Sequence, residues 1–228
     1  MKERIYTIPL TESLDAETEC PFCFLEKKIE KEQIEYALGP AMMEPDYRLI
    51  SNEKGFCQKH MEALFNSRRA LPFSLVHDTR IDEVIKSLED VLKKPEKKKT
   101  QVLMNTLKGH TSGCIVCDRV ESTIKKFINT FWYLYKKEPD FKNRILNGKG
   151  FCIHHFEDII KESNQAGLKK NEYVNELLEL ELKNLKRIKE NVHDFTKQFD
   201  YRNEGKSNED IHDAHILCAE KLSKYCER

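Results

Sequence analysis

The chain has 228 residues, and its 39 basic and 39 acidic side chains cancel, so no overall field draws it to nucleic acid or to an anionic membrane. Charged residues make up 34% and the mean hydropathy is -0.67, yet leucine, isoleucine, valine and phenylalanine recur at regular spacing, which excludes a disordered chain. No stretch approaches the roughly 18 apolar residues that cross a bilayer.

In chain order, the opening MKERIYTIPLTES has neither an apolar core segment nor a small-residue cleavage site, so no secretion signal is expected and the protein is placed in the cytoplasm. There thiols stay reduced, and clustered cysteines point to metal or redox chemistry rather than to disulfides. IYTIPL is the one stretch with any strand character. Cys20-Pro21-Phe22-Cys23 then opens a long helix, with proline suited to its first position, and this helix runs to a turn at Glu44-Pro45-Asp46. Lys54-Gly55-Phe56-Cys57-Gln58-Lys59-His60 follows, its glycine allowing a sharp turn. A short helical run, MEALFNSRR, meets a break at ALPF, and a helix over 74–94 carries Ile81, Val84, Ile85, Leu88, Val91 and Leu92 at helical spacing. KKPEKKKT, residues 93–100, reads as a solvated linker.

The same phrases then return. Cys114-Ile115-Val116-Cys117 leads into a helix whose Phe131, Trp132, Tyr133 and Tyr135 are expected to fill a core. Glu138-Pro139-Asp140 and Lys149-Gly150-Phe151-Cys152-Ile153-His154-His155 follow in the same order as before. After FEDIIKESNQ and a break at Ala166-Gly167, a helix over 171–199 places Leu178, Leu182, Leu185, Ile188, Val192, Phe195 and Phe199 on one apolar stripe. Ser207-x-x-Asp210 reads as a capping box opening a last helix over about 208–225. His212, His215 and Cys218 on it, and Asp200, Tyr201, Arg202 and Glu204 before it, read as ordinary helix and turn residues.

From the second cysteine to the proline the step is 22 residues in both copies, as counting along the chain shows, and this marks a duplication. The expected fold class is all-α: two tandem metal-stapled helical units, residues 1–95 and 96–205, with a C-terminal helix over 206–228. Each C-x-x-C and each C-x-x-H can present two donors to one ion, and thiolate with imidazole is the ligand set that zinc takes in a tetrahedron. The candidate metal ligands are therefore Cys20, Cys23, Cys57 and His60 in the first repeat, and Cys114, Cys117, Cys152 and His155 in the second. The expected cofactor is two zinc ions, with an iron–sulfur cluster the rival because thiolates ligate both. Within a repeat, a helix of about 22 residues reaches ~33 Å and 12 or 13 residues must come back, so ligands exchanged between repeats stay open as an alternative. His110 and His154 flank the proposed ligands, but the duplicated register selects His60 and His155.

CPFC, GFCQKH, CIVC and GFCIHH, with the opening YTIPL and the closing FDYRNEGKSNED, resemble an uncharacterised bacterial and archaeal family known only as a domain of unknown function. The resemblance spans nearly the whole chain and implies a soluble protein with the cysteine motifs as its hallmark; it supplies no activity. No G-x-S-x-G, Walker loop, G-x-G-x-x-G or H-E-x-x-H occurs, and each four-ligand set is closed, so the reading leans away from an enzyme and names no catalytic residue. The expected role is a zinc-stapled scaffold in interaction or regulation, acting on a protein partner rather than on nucleic acid or membrane, with a homodimer compatible. The alternative is an iron–sulfur or thiol redox protein.

Overall fold

The computed structural model describes residues 5–197, 213–224 and 226. These residues are all-α: α1 (Thr7–Glu12), α2 (Pro21–Ala37), α3 (Pro45–Lys54), α4 (Gln58–Asn66), α5 (Ala70–Leu92), α6 (Glu96–Thr111), α7 (Ile115–Lys137), α8 (Pro139–Leu146), α9 (Ile153–Lys161), α10 (Lys170–Lys197) and α11 (Ala214–Leu222), with 3-10 turns at Ser13–Asp15, Pro40–Met43 and Ser163–Lys169. No described residue lies in a strand, and Thr7–Leu10 of IYTIPL belong to α1, whose Leu10 is buried. No helix among the described residues is long and apolar enough to cross a membrane.

The contacts divide the chain into a terminal unit, residues 1–27 with 123–228, and a central unit, residues 28–122. The units expected from the sequence are 1–95 and 96–205, and each compact unit takes parts of both.

In the terminal unit the core is aromatic. The Phe131 ring lies 5.4 Å from those of Trp132 and Tyr135, 5.6 Å from Phe151, 5.9 Å from Phe141 and 6.2 Å from Phe22. One ring thus ties α2, α7, α8 and the chain before α9 together, as the clustering of aromatics on α7 leads one to expect. Trp132 Nε1 donates to Ile159 O at 3.0 Å, so its polar edge is satisfied inside the core and fastens α9 to α7. The face that α10 buries differs from the expected stripe: Leu178 and Leu182 are exposed, while Tyr173, Leu177, Leu180, Glu181, Asn184 and Ile188 are buried. The polar members, Glu181 and Asn184, disguise that face in the sequence, and each is hydrogen-bonded there. Of the last helix, Ala214–Leu222 is described as α11; Asp200, Tyr201, Arg202, Glu204, Ser207, Asp210 and His212 lie outside the described residues.

α3 in the central unit and α8 in the terminal unit are counterparts, each opened by the proline of the Glu-Pro-Asp phrase at its first position. ALPF is not a break but the first turn of α5, where Pro72 costs no hydrogen bond. The stretch read as a linker is only partly one: Lys93–Pro95 is a turn, and Glu96 starts α6, a helix with no buried residue. Arg48 holds α3 to α5 by donating to Thr79 Oγ1 at 2.8 Å and to Leu75 O at 3.1 Å.

Candidate metal centres

Each C-x-x-C lies at the entrance of a long helix and each G-F-C-x-x-H at the entrance of a short one. Cys23 N donates to Cys20 O at 3.1 Å, which curls the CPFC segment into α2 and brings both sulfurs to one side. Cys152 is the N-cap of α9, its Sγ accepting from His155 N at 3.4 Å, and Cys57 is the N-cap of α4. Helix starts carry exposed amides and a positive dipole end, both of which favour thiolate. The glycines before the phenylalanines have φ of +68° at Gly55 and +75° at Gly150, a conformation that side chains with a Cβ rarely adopt, so they set the turn that delivers each cysteine.

The eight expected ligands gather into two groups: Cys20, Cys23, Cys152 and His155 in the terminal unit, and Cys57, His60, Cys114 and Cys117 in the central unit. In each group the donor atoms all lie within 4.8 Å of one another, and each could hold a metal ion. Of the two pairings the sequence leaves open, the exchanged one is found: the first C-x-x-C meets the second C-x-x-H, and the second C-x-x-C meets the first C-x-x-H. Helix lengths give the reason. α2 has 17 residues and α7 has 23, whereas the returning helices α3 and α8 have 10 and 8. At about 1.5 Å per residue the return covers roughly half the outward run or less, so neither G-F-C turn gets back to its own C-x-x-C.

In the terminal cluster His155 Nδ1 stands 3.5 Å from Cys20 Sγ, 3.4 Å from Cys23 Sγ and 3.3 Å from Cys152 Sγ, and Cys23 and Cys152 are 3.5 Å apart. In the central cluster His60 Nδ1 is 3.2 Å from Cys57 and from Cys114 and 3.4 Å from Cys117, and the Cys57 and Cys117 sulfurs are 3.7 Å apart. Both imidazoles turn Nδ1 to the thiols and Nε2 to a glutamate on α2. His155 Nε2 is 3.1 Å from Glu26 Oε2, and His60 Nε2 is 3.3 Å from Glu30 Oε1. A carboxylate behind the imidazole fixes its orientation and raises its basicity as a ligand. These two glutamates escape sequence reasoning because no motif marks them. The available signal is that Glu26 follows Cys23 by three residues, on the same helical face.

Without an ion the donors share protons among themselves. Hydrogen bonding to Cys114 and then to Glu30 raises His60 to about 10. Burial pushes His155 down, but its bonds to Cys152, Cys20 and Glu26 outweigh that and raise it to about 11. Burial also pushes the Cys114 thiol up, yet bonding to His60 and to backbone amides brings it down to about 6. Cys152 is lowered by its bonds from Cys20 and Cys23, whereas Cys23 is raised by bonding to Cys152 and Cys20. Burial and bonding to Cys114 push the Cys117 thiol up to about 12, so in each cluster one thiol is held up and another down, and a cation would replace protons there.

The G-F-C turns are secured differently. In the terminal unit Phe151 N donates to Glu181 Oε1, Lys221 Nζ donates to Lys149 O at 2.6 Å, and Lys221 Nζ lies 3.1 Å from Glu181 Oε2, with both side chains buried. Burial holds the Glu181 carboxyl above the usual range although Lys221 and the Phe151 amide pull it down. In the central unit Arg80 donates to Asn52 O and Glu53 O, and to His110 O at 3.1 Å, while Ile115 N donates to Gly55 O at 3.1 Å. His110 belongs to that support, its Nε2 lying 2.7 Å from Ser87 Oγ, and His154 is exposed; neither joins a cluster.

The fold and the two clusters define an all-helical protein with two Cys3His groups able to hold metal ions. The whole chain, residues 1–228, matches the model of DUF6062, a family of unknown function, and the protein belongs to that family. No characterised protein and no solved structure matches it.

Proposed function

We propose that the protein binds two zinc ions, one in each Cys3His cluster, and serves as a zinc-stapled helical scaffold rather than an enzyme. The observation that carries this reading is the spacing of the donors. Zinc–sulfur bonds of about 2.3 Å in a tetrahedron place the sulfurs about 3.8 Å apart. The sulfur–sulfur distances here, 3.5 and 3.7 Å, match that edge, and the nitrogen–sulfur distances of 3.2 to 3.5 Å match its shorter counterpart. An iron–sulfur cluster interposes its own iron and sulfide atoms and spreads its cysteines further, so the spacing supports a single ion. Three thiolates and an imidazole then favour zinc among single ions.

Four protein donors leave no coordination position for a substrate, which supports a structural role. Each ion would join the start of a long helix to the start of a short one taken from the other repeat. The scaffold reading places its activity at a cytoplasmic protein partner, with self-association as one form of it. Elemental analysis of protein purified without oxygen tests the metal: two zinc ions per chain in a colourless sample are expected, and a brown, iron-containing sample overturns zinc. Co-purification at raised salt tests the role. Stoichiometric nucleic acid, or turnover that tracks metal occupancy, overturns the scaffold.

A further inference from the structure

Cys23 and Cys117 are equivalent positions of the duplicated C-x-x-C, but their surroundings are opposite. Cys23 is 3% exposed, and all four members of its cluster are buried. Cys117 is exposed and Cys57 half-buried, while Cys114 and His60 are buried behind them. The two sulfurs that solvent reaches in the central cluster are also neighbours, 3.7 Å apart, on different helices, Cys57 capping α4 and Cys117 in the first turn of α7. A disulfide would bring these sulfurs from 3.7 Å to about 2 Å.

We propose that Cys117 is an oxidation site, and that hydroperoxides convert Cys57 and Cys117 to a disulfide and so release the central metal ion while the terminal ion stays. This deepens the two-ion reading above and rests on it. The Cys117 thiolate attacks one peroxide oxygen; a sulfur–oxygen bond forms, the oxygen–oxygen bond breaks, and the departing oxygen takes a proton from water to leave as water or an alcohol. The Cys57 thiolate then attacks the Cys117 sulfenic sulfur; the sulfur–sulfur bond forms, the sulfur–oxygen bond breaks, and hydroxide leaves and is protonated to water. The two sulfurs have together given two electrons to the peroxide. Two of the four donors are now neutral and tied to each other, and Cys114 and His60 alone do not retain the ion.

The burial difference makes the terminal cluster the internal reference. Its thiols meet the same peroxide only if the core around Phe22, Phe151 and Trp132 opens. Release would thus be partial by construction, with one staple kept and one lost. The central unit would lose the tie between α4 and α7, the helices that Cys57 caps and Cys117 opens.

The test uses the full chain in a Cys218→Ser/Cys226→Ser background, which removes the thiols outside the clusters. Metal content is measured first, hydrogen peroxide is added, released zinc is followed with a chromogenic chelator, and disulfides are mapped by mass spectrometry of peptides. Expected is release of one ion of two, in step with a Cys57–Cys117 disulfide, with Cys20, Cys23 and Cys152 still reduced; a thiol reductant with zinc restores the second ion. Retention of both ions under excess peroxide overturns the switch and leaves the metal reading standing. Loss of both ions at one rate, or a disulfide in the terminal cluster as early as in the central one, overturns the proposed selectivity. A chain that holds no ion from the start overturns both readings.

Discussion

In the terminal cluster every donor is buried, the Phe22 ring lies 5.7 Å from that of His155, and the turn before Cys152 rests on a buried carboxylate–ammonium pair. In the central cluster Cys117 reaches solvent, and the turn before Cys57 rests on an arginine that donates to backbone carbonyls. The ligand geometry is the same within a few tenths of an ångström. The donors and their spacing are thus alike in the two clusters while the surroundings differ, so local motif chemistry and tertiary environment are separable here. On the two-zinc reading proposed above, the same donor set would be structural in the terminal cluster and reactive in the central one through the depth at which it is held.

The largest expected effect tests the premise that each cluster draws on both repeats. Cys20→Ser combined with Cys152→Ser strikes one cluster and leaves about one ion per chain, whereas Cys20→Ser with Cys57→Ser strikes both clusters and leaves about none. Elemental analysis separates the two. The reverse order, about no ion in the first double variant and about one in the second, would break the comparison at its root, because the ligands would then pair within each repeat.

Next comes the support of the terminal turn. Lys221→Met leaves Glu181 buried and without its counter-ion, and Glu181→Ala does the same to Lys221; each is expected to cost about 3–5 kcal/mol in a urea melt of zinc-loaded protein. A loss under 1 kcal/mol for both would mean that the pair does not hold the turn. The glycines extend the contrast at smaller amplitude. Gly150→Ala and Gly55→Ala each meet a backbone strain of about 1–3 kcal/mol. At Gly150 the new methyl also collides with Glu181 Oε1, which is pinned, while at Gly55 it meets the tip of Arg80 at 3.2 Å, which can swing aside. Gly150→Ala is therefore the more costly, and the reverse order would overturn the assignment of the stiffer support to the terminal unit.

Much of this was legible before the fold. Two donors at i and i+3 are a local matter, and so the four pairs, the helices they open and the choice of His60 and His155 over His110 and His154 can be read directly. Which pair meets which is not local. It depends on how far α2 and α7 carry the chain before α3 and α8 turn back, and the mismatch of those lengths was visible only as a tension. The buried face of α10 was hidden because Glu181 and Asn184 lie in it, serving Phe151 N and Gly148 O, while Leu178 and Leu182 advertise the wrong side. α6 was hidden by Lys97, Lys98 and Lys99, a charge run that solvates one helix as readily as a linker.

The smallest effect concerns the carboxylates behind the histidines. Glu26 and Glu30 face the Nε2 atoms of His155 and His60, and each is itself paired with a lysine, Glu26 with Lys224 at 3.4 Å and Glu30 with Lys59. Burial pushes both carboxyls up, but bonding to the histidine and to the lysine carries each below the usual carboxylate range, so both are charged at neutral pH. A charged acceptor stabilises the Nε2–H tautomer and leaves Nδ1 as the donor to the ion. Glu26→Gln and Glu30→Gln keep the acceptor oxygen and remove the charge, and each should lower zinc affinity about tenfold at its own site, near the lower end of such effects. Chelator competition on the singly depleted forms reads each site alone, with Cys57→Ser reporting the terminal ion and Cys152→Ser the central one. The lowering should be larger for Glu26, because its partner His155 is wholly buried and water cannot substitute for the lost charge, whereas Glu30 works at the edge of a cluster that solvent already reaches. Equal losses at the two sites would show that depth governs thiol access but not the field around the histidine.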